Sequence, residues 1–243
     1  MKIIKLDAID STNSFLKNLS ATSIVQDFTI VVAKTQTSGR GQMNAKWIVE
    51  GGKNLTFSVF CSFDNLLVSH QKYLNFSISL AVFEVLNGLI LPKLAIKWPN
   101  DIMSGNKKIA GILIENNLKG TKIASSIIGI GVNVNQEFFQ EDLPNAISLK
   151  KLLNKNFDLN DLLNSVLLKL KENIDLLKSE KYLFLEDQYL NVLYKKNVPS
   201  MFKDNQNILF MGKIIGVSKT GKLQIELENE TIKEFGIKEV SFA

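Results

Sequence analysis

The residues best suited to chemistry stand in a loop that runs from Gln36 to Trp47. Gly39, Arg40 and Gly41 follow one another there, so backbone N–H groups and a guanidinium lie together. Arg40 is the only arginine of the chain, and its planar fork matches a phosphate or a carboxylate. Trp47 offers a ring for an aromatic base. The pattern predicts an anion site, with an ordinary surface loop as the alternative.

A lysine interrupts a second apolar segment, at residues 94–98. Strand alternation places Lys97 on the face opposite Ile96 and Trp98, and Pro99 ends the strand. Asn100 and Asp101 then stand at its tip. We expect Lys97 to face a cleft as a fixed cation; the alternative is a side chain that extends into solvent.

Glycines and amides alternate with apolar residues over 129–135. A period of two puts Gly129, Gly131, Asn133 and Asn135 on one face, which favours a ligand lying against bare backbone over a bulged, twisted strand. The chain completes neither the dinucleotide-binding nor the P-loop motif, so those two nucleotide sites are not expected.

The segment Ser11-Thr12-Asn13 precedes a predicted helix. A helix cap needs only one of these side chains. The surplus donors and acceptors are suited to reading a small polar ring.

The elements that must position these groups are a mixed set. Short strands alternate with helices up to about residue 135, which predicts an α+β fold with a mixed sheet and packed helices. We expect strands at 29–33, 55–60, 94–98, 109–114 and 123–134. We also expect a helix over 74–89 and an amphipathic helix over about 160–193. After 197–199, glycine-bounded strands at 212–217 and 223–227 predict a small barrel-type module.

Composition excludes several classes of function. The 243 residues carry a net charge of +5 without a long basic run, so nucleic acid is not indicated as a partner. With Cys61 and His70 as the only cysteine and histidine, a zinc cluster is not expected, and His70 is predicted to lie at the surface. No apolar run is long enough for a spanning helix or a signal peptide, which predicts a cytoplasmic protein.

Taken in order, these motifs, with the strand Lys108 to Glu115, resemble biotin protein ligase. The resemblance covers about the first 135 residues strongly. It implies a catalytic domain over 1–195 and an SH3-like domain over 196–243. We expect a monofunctional ligase, since the motifs begin within a dozen residues of the start and leave no room for a winged-helix domain.

The resemblance also implies the activity and its partners. The reaction would be ATP-dependent joining of biotin to a lysine of a biotin carrier protein, such as that of acetyl-CoA carboxylase, through biotinyl-5′-AMP and with Mg²⁺. No metal ligand is assigned among the protein's residues. The chain would be a monomer or a homodimer.

The resemblance assigns roles residue by residue. Arg40 and Lys97 would be catalytic. Biotin would contact Ser11, Thr12, Asn13, Gln36, Arg40, Gly41, Gln42 and Lys97. The nucleotide would contact Gly39, Arg40, Trp47, Asn100, Gly131 and Asn133.

The loop departs from the family pattern G-R-G-R-x-G-R-x-W at Gln42, Asn44 and Ala45. We therefore expect weaker phosphate clamping, and a loop that closes over the adenylate when ligands bind. Two alternatives stay open: a lipoate or octanoate ligase or transferase, and a non-enzymatic sensor of biotinyl adenylate. The polar Ser11-Thr12-Asn13 segment suits a ureido ring better than an aliphatic tail.

Overall fold

The computed structural model describes residues 1–141 and 143–243. Strands and helices succeed one another as a mixed set, as the sequence predicts. The elements are β1 Lys2–Ile9, α1 Thr12–Thr22, β2 Thr29–Gln36, β3 Leu55–Ser62, α2 Gln71–Asn87, β4 Leu94–Lys97, β5 Asp101–Ser104, β6 Lys107–Lys119, β7 Lys122–Val132, α3 Leu149–Leu153, α4 Leu159–Lys178, α5 Tyr182–Asn191, β8 Pro199–Asp204, β9 Leu209–Val217, β10 Leu223–Leu227, β11 Ile232–Phe235 and β12 Val240–Phe242.

The larger sheet has seven strands in the order β1-β2-β3-β7-β6-β5-β4. The β1 and β2 strands are parallel and joined by α1, whereas the remaining neighbours are antiparallel. The central β3 strand is buried from Leu55 to Cys61 on both faces. One face of the sheet is therefore covered along its whole length, and the other face is covered only in part.

Helices divide unequally between the two faces of this sheet. The apolar face of α4 packs with α2 and the sheet in the main core, and Tyr189 of α5 stacks on Phe76 of α2 at 4.0 Å between ring centroids. On the opposite face, α1 inserts Leu16 against Val31, Phe60 and Ile127. Beyond α1, that face stays open where β3, β6 and β7 run side by side.

The C-terminal strands form a second, antiparallel sheet in the order β11-β10-β9-β8-β12. Within the described residues, no strand ladder joins the edge strands β11 and β12, so the sheet is not closed into a barrel by hydrogen bonds. It packs on the first part of the chain, where the Trp98 indole donates to the Gly221 carbonyl at 3.2 Å.

Several elements differ from those expected. The β1 strand was not predicted, and α2 begins three residues earlier and ends two residues earlier than expected. The region 160–193 holds two helices rather than one, because the chain turns between α4 and α5 with Glu180 at φ 57°. His70 is half-buried, its ring 4.5 Å from that of Tyr182, so its predicted surface position is wrong.

Within the described ranges, every helix falls short of the length and apolar character needed to cross a membrane.

Candidate active site

A cavity of about 510 Å³ lies on the open face of the larger sheet. Its floor comes from β3, β6 and β7, one wall from the start of α1 and the loop after β2, and another wall from the C-terminal sheet. Residues more than 100 positions apart in sequence therefore share one chamber.

Glycines make the floor flat enough for other groups to lie on it. A Cβ atom at Gly131 would overlap the Trp47 indole, with 2.5 Å to its Nε1. At Gly111, a Cβ would lie 3.2 Å from the same indole and 3.0 Å from Lys108 Nζ. A Cβ at Gly129 would overlap the Asn13 amide. Bare backbone at these positions is what allows side chains and ligand to approach the sheet.

One end of the cavity, which we call the amide end, consists of Thr12, Asn13, Gln36 and Ser58. Gln36 Oε1 accepts from the Thr12 amide at 2.8 Å and lies 3.0 Å from the Thr12 hydroxyl. Ser58 Oγ lies 2.7 Å from Thr12 Oγ1 and 2.5 Å from Asn13 Oδ1. Ser11 begins α1 as its N-cap. Thr12, Asn13 and Ser58 are buried and Gln36 is half-buried, and these neutral groups hold one another in fixed orientations.

Arg40 forms an ion pair beside the amide end. Its guanidinium donates to both oxygens of Glu115, at 3.1 and 3.3 Å, and Asn13 Nδ2 donates to the same carboxylate at 3.0 Å. Burial would raise the pKa of Glu115, but the Asn13 hydrogen bond and the charges of Arg40 and Lys17 outweigh it and lower that pKa below its ordinary value. The fork predicted for a ligand anion is thus occupied by a protein carboxylate.

The other end of the cavity, which we call the lysine end, carries Lys97, Lys108, Asp101 and Lys238. Lys97 Nζ lies 5.5 Å from the centroid of the Phe242 ring. Lys108 Nζ lies 2.6 Å from Asp101 Oδ1, and Lys238 Nζ donates to the Met43 carbonyl of the loop at 2.8 Å. Three ammonium groups and one carboxylate leave a net positive charge, which suits an anionic group.

Among the residues that the structure describes, two buried polar atoms of the cavity wall have no hydrogen-bond partner: Trp47 Nε1 and Thr56 Oγ1. Thr56 is only 5% exposed, and it pairs with Gly131 across the β3–β7 ladder. Buried polar atoms without partners are costly, and these two lie where an atom in the cavity could reach them.

Most of the predicted site residues meet in this cavity. Those that line it are Ser11, Thr12, Asn13, Gln36, Arg40, Gly41, Gln42, Trp47, Lys97, Asn100 and Gly131. Lys97 faces the cavity, as strand alternation indicates.

Two predicted nucleotide contacts lie elsewhere. Gly39 is buried under the backbone of Trp47, whose amide donates to its carbonyl at 2.9 Å. The β7 strand ends at Val132, and the backbone amide of Asn133 donates to the Ile109 carbonyl at 2.8 Å. The alternation from Gly129 therefore stops before Asn133 and Asn135, and neither amide lines the cavity.

Other residues of the cavity were missed. Lys108 belongs to the strand motif that carries the resemblance, but the sequence analysis assigns it no role. Its position at the start of an apolar strand is the one feature of the sequence that could have pointed to it. Ser58 and Thr56 lie on the same face of β3 and look like ordinary strand residues. The segment 237–242 reaches the site only through packing of the C-terminal sheet, which no local pattern reveals.

The donor set of the cavity does not resemble a resident metal site. Among the described residues, no three His, Cys, Asp or Glu side chains gather as metal ligands. Asp101 is the carboxylate at the lysine end, and Mg²⁺ in nucleotide sites is bound by one or two carboxylates together with substrate phosphates. The residues fit a magnesium ion that arrives with ATP.

Comparison with known proteins identifies the family. The model of the biotin/lipoate A/B protein ligase family matches residues 6–133, more than half of the chain. The chain belongs to this family. The match covers α1, the loop and the floor strands β3, β6 and β7, which together hold most of the cavity.

Relatives of this ligase family extend the likeness beyond the matched segment. The bifunctional ligase/repressor BirA of Bacillus spizizenii is 29% identical over 241 residues, covering 96% of this chain and 71% of that protein. The biotin–[acetyl-CoA-carboxylase] ligase of Paracoccus denitrificans is 35% identical over 106 residues, covering 43% of each chain.

A solved structure has the same architecture throughout. The biotin protein ligase from Aquifex aeolicus in complex with biotin and ATP is 30% identical, with a TM-score of 0.80, and the alignment covers 100% of this chain and 98% of that one. The likeness therefore includes the C-terminal sheet.

Proposed function

We propose that this protein is a biotin protein ligase, which joins biotin to a lysine of a biotin carrier protein through biotinyl-5′-AMP at the expense of ATP. The observation that carries the proposal is the division of one cavity into a neutral amide end and a positive lysine end. Biotin has the matching division, since a ureido ring stands at one end and a carboxylate at the other. The similar ligases named above support the same substrates.

The amide end suits the ureido ring because both consist of fixed neutral donors and acceptors. Thr12, Asn13 and Ser58 already satisfy one another, so a ligand needs little rearrangement to join them. A ureido ring placed there adds hydrogen bonds to groups that are already in position, whereas an aliphatic tail adds none. This favours biotin over an octanoyl group.

The lysine end suits the first step, in which two anions must meet. A carboxylate oxygen of biotin attacks the α-phosphorus of ATP, the bond to the bridging oxygen breaks, and pyrophosphate leaves. Lys97 and Lys108 would offset the charge of the carboxylate and the phosphate. Arg40 joins them only after its guanidinium exchanges Glu115 for the ligand.

In the second step, the neutral amine of the acceptor lysine attacks the acyl carbon of the adenylate. An amide bond forms, AMP leaves with its phosphate oxygen, and the amine loses a proton to solvent or a nearby base. The chain's contribution to this step is to hold the adenylate with its acyl carbon accessible.

The remaining assignments follow from the same proposal. Ser11, Gln36, Gly41 and Gln42 would complete the biotin contacts, and Asn100 and Gly131 the nucleotide contacts. Gly39 and Asn133 would act only through the backbone they support. ATP would bring Mg²⁺ with it.

The C-terminal sheet is proposed to be the SH3-like domain of such ligases, with residues 1–195 as the catalytic domain and 196–243 as the second domain. The working location is the cytoplasm, where carrier proteins are made, and the assembly a monomer or homodimer.

Exchange of labelled pyrophosphate into ATP tests the first step. Purified protein with Mg²⁺ and ATP should catalyse exchange when biotin is added, and not when lipoate or octanoate replaces it. Exchange with lipoate or octanoate but not with biotin would identify the protein as a lipoate or octanoate ligase instead. Binding of biotinyl adenylate without exchange would make it a sensor.

A further inference from the structure

The two unpartnered polar atoms of the cavity wall belong to side chains that meet at one position of the floor, Gly131. Thr56 is the ladder partner of Gly131, and the Trp47 indole lies directly over Gly131. Both atoms are buried, and neither has a hydrogen-bond partner among the described residues. An indole N–H only donates, and a hydroxyl donates or accepts, so one acceptor atom would satisfy both.

The position of this pair along the sheet indicates which part of a ligand it meets. Ser58 and Gly129 form the ladder row that carries the amide end. Thr56 and Gly131 form the next row on the same face, about 7 Å further along the strand. Gly111 extends that row and lies beside Lys108. The pair thus lies between the amide end and the lysine end.

Biotin offers one acceptor between its ureido group and its carboxylate, the thioether sulfur of the second ring. Sulfur is a weak acceptor, and the hydrocarbon chain beyond it has none. We propose that the Thr56 hydroxyl and the Trp47 indole N–H form a subsite for this ring sulfur, and that Thr56 determines specificity for it. The inference rests on the proposed function and adds a residue that the sequence did not point to.

The test replaces Thr56 with valine, which keeps the branched shape and removes the hydroxyl. Affinity for biotin, measured by calorimetry, should fall about fivefold, the loss expected for one hydrogen bond. Affinity for desthiobiotin, which keeps the ureido group and the acid chain but lacks sulfur, should not change. For an analogue with oxygen in place of sulfur, the affinity should fall more on Thr56→Val than it does for biotin, because oxygen is the stronger acceptor.

Ser79 of α2 provides a matched control, because it is another buried hydroxyl that lacks a partner in the described part of the chain, and it lies outside the cavity. Both Thr56→Val and Ser79→Ala should raise the melting temperature of the ligand-free protein, because each removes an unpaired buried polar group. Only Thr56→Val should reduce the further rise that biotin produces. A hydroxyl with a purely structural role would not give opposite changes in stability and affinity.

The outcomes separate the two proposals. Equal losses for biotin and desthiobiotin, or no loss for either, would overturn the sulfur subsite while wild-type binding of biotin leaves the proposed function standing. If the wild-type protein failed to bind biotin at all, both would be overturned.

Discussion

The two ends of the cavity are built in opposite ways. At the amide end, Thr12, Asn13, Gln36 and Ser58 hydrogen-bond to one another within a single buried network. At the lysine end, Lys97 of β4 and Lys238 of the turn before β12 both line the cavity, and Lys108 forms an ion pair with Asp101. A fixed neutral network discriminates among ligands, whereas a group of cations with a net positive charge stabilises the anionic groups that react. The comparison assigns recognition to one end and catalysis to the other.

The largest effect should come from the lysine end. Replacing Lys97 with methionine removes a cation from the site of the two anions, so kcat of pyrophosphate exchange should fall about 10²-fold. KM for biotin should rise by a smaller factor than kcat falls, because the hydrogen bonds between the amide end and the ureido ring are untouched. Exchange kinetics at saturating ATP measure both values.

Lys119→Met is the control for that substitution, since Lys119 is an exposed lysine at the end of β6, away from the cavity. A similar fall in both variants would mean that net charge, rather than the lysine end, sets the rate.

The next effect should come from the amide end. Ser58→Ala leaves the buried Asn13 Oδ1 without its hydroxyl donor and removes one of the two partners of the Thr12 hydroxyl, which should raise KM for biotin about tenfold. KM for ATP and kcat should stay near their wild-type values. Steady-state exchange with each substrate varied in turn measures the difference.

Ser126→Ala provides the matched control, because Ser126 also makes a buried hydrogen bond, 2.7 Å to Asn116 Oδ1, but outside the cavity. If kcat rather than KM fell in Ser58→Ala, the division between the two ends would be wrong.

Glu115 gives a smaller and pH-dependent effect. Glu115→Gln weakens the charge-assisted hydrogen bond that orients Asn13, so KM for biotin should rise about threefold, a loss that easier release of Arg40 partly offsets. Because the pKa of Glu115 is lowered in the folded protein, its contribution to stability is complete above its unfolded pKa of about 4.3 and is lost as pH falls through the folded value.

Thermal melts between pH 7 and pH 3 check this sign. The wild-type protein should lose its advantage over Glu115→Gln as the solution becomes acidic. A stability difference that grew on acidification would contradict the ion-pair account.

The smallest effect should follow from Lys238→Met, which removes one exposed hydrogen bond between the C-terminal sheet and the loop at Met43. We expect a change of about twofold or less in KM for ATP, and faster proteolysis of the loop at Arg40. Unchanged proteolysis would show that the C-terminal sheet does not restrain the loop.

The sequence predicted the parts of this site that depend on local periodicity. Lys97 faces the cavity because strand alternation is fixed over a few residues, and the glycine floor follows from the same period. The alternation was extended too far, into Asn133, because the end of β7 is set by its partners in the sheet. The β1 strand was not predicted because it lies at the exposed edge of the sheet and carries lysines among its apolar residues.

Contacts between distant segments were out of reach of sequence patterns. The pairing of Arg40 with Glu115 joins residues 75 positions apart, and Lys238 reaches Met43 across 195. The leucines of α4 and α5 continue a helical spacing across the turn at Glu180, so the break between the helices has no local signal.

A double-variant cycle of Ser58→Ala and Lys97→Met in biotin-dependent pyrophosphate exchange tests the division of the cavity most directly. If recognition and catalysis belong to separate ends, the losses in kcat/KM multiply, and the double variant agrees with their product within about a factor of two. A double variant no worse than Lys97→Met alone would contradict the account, since it would show that both residues act on a single step.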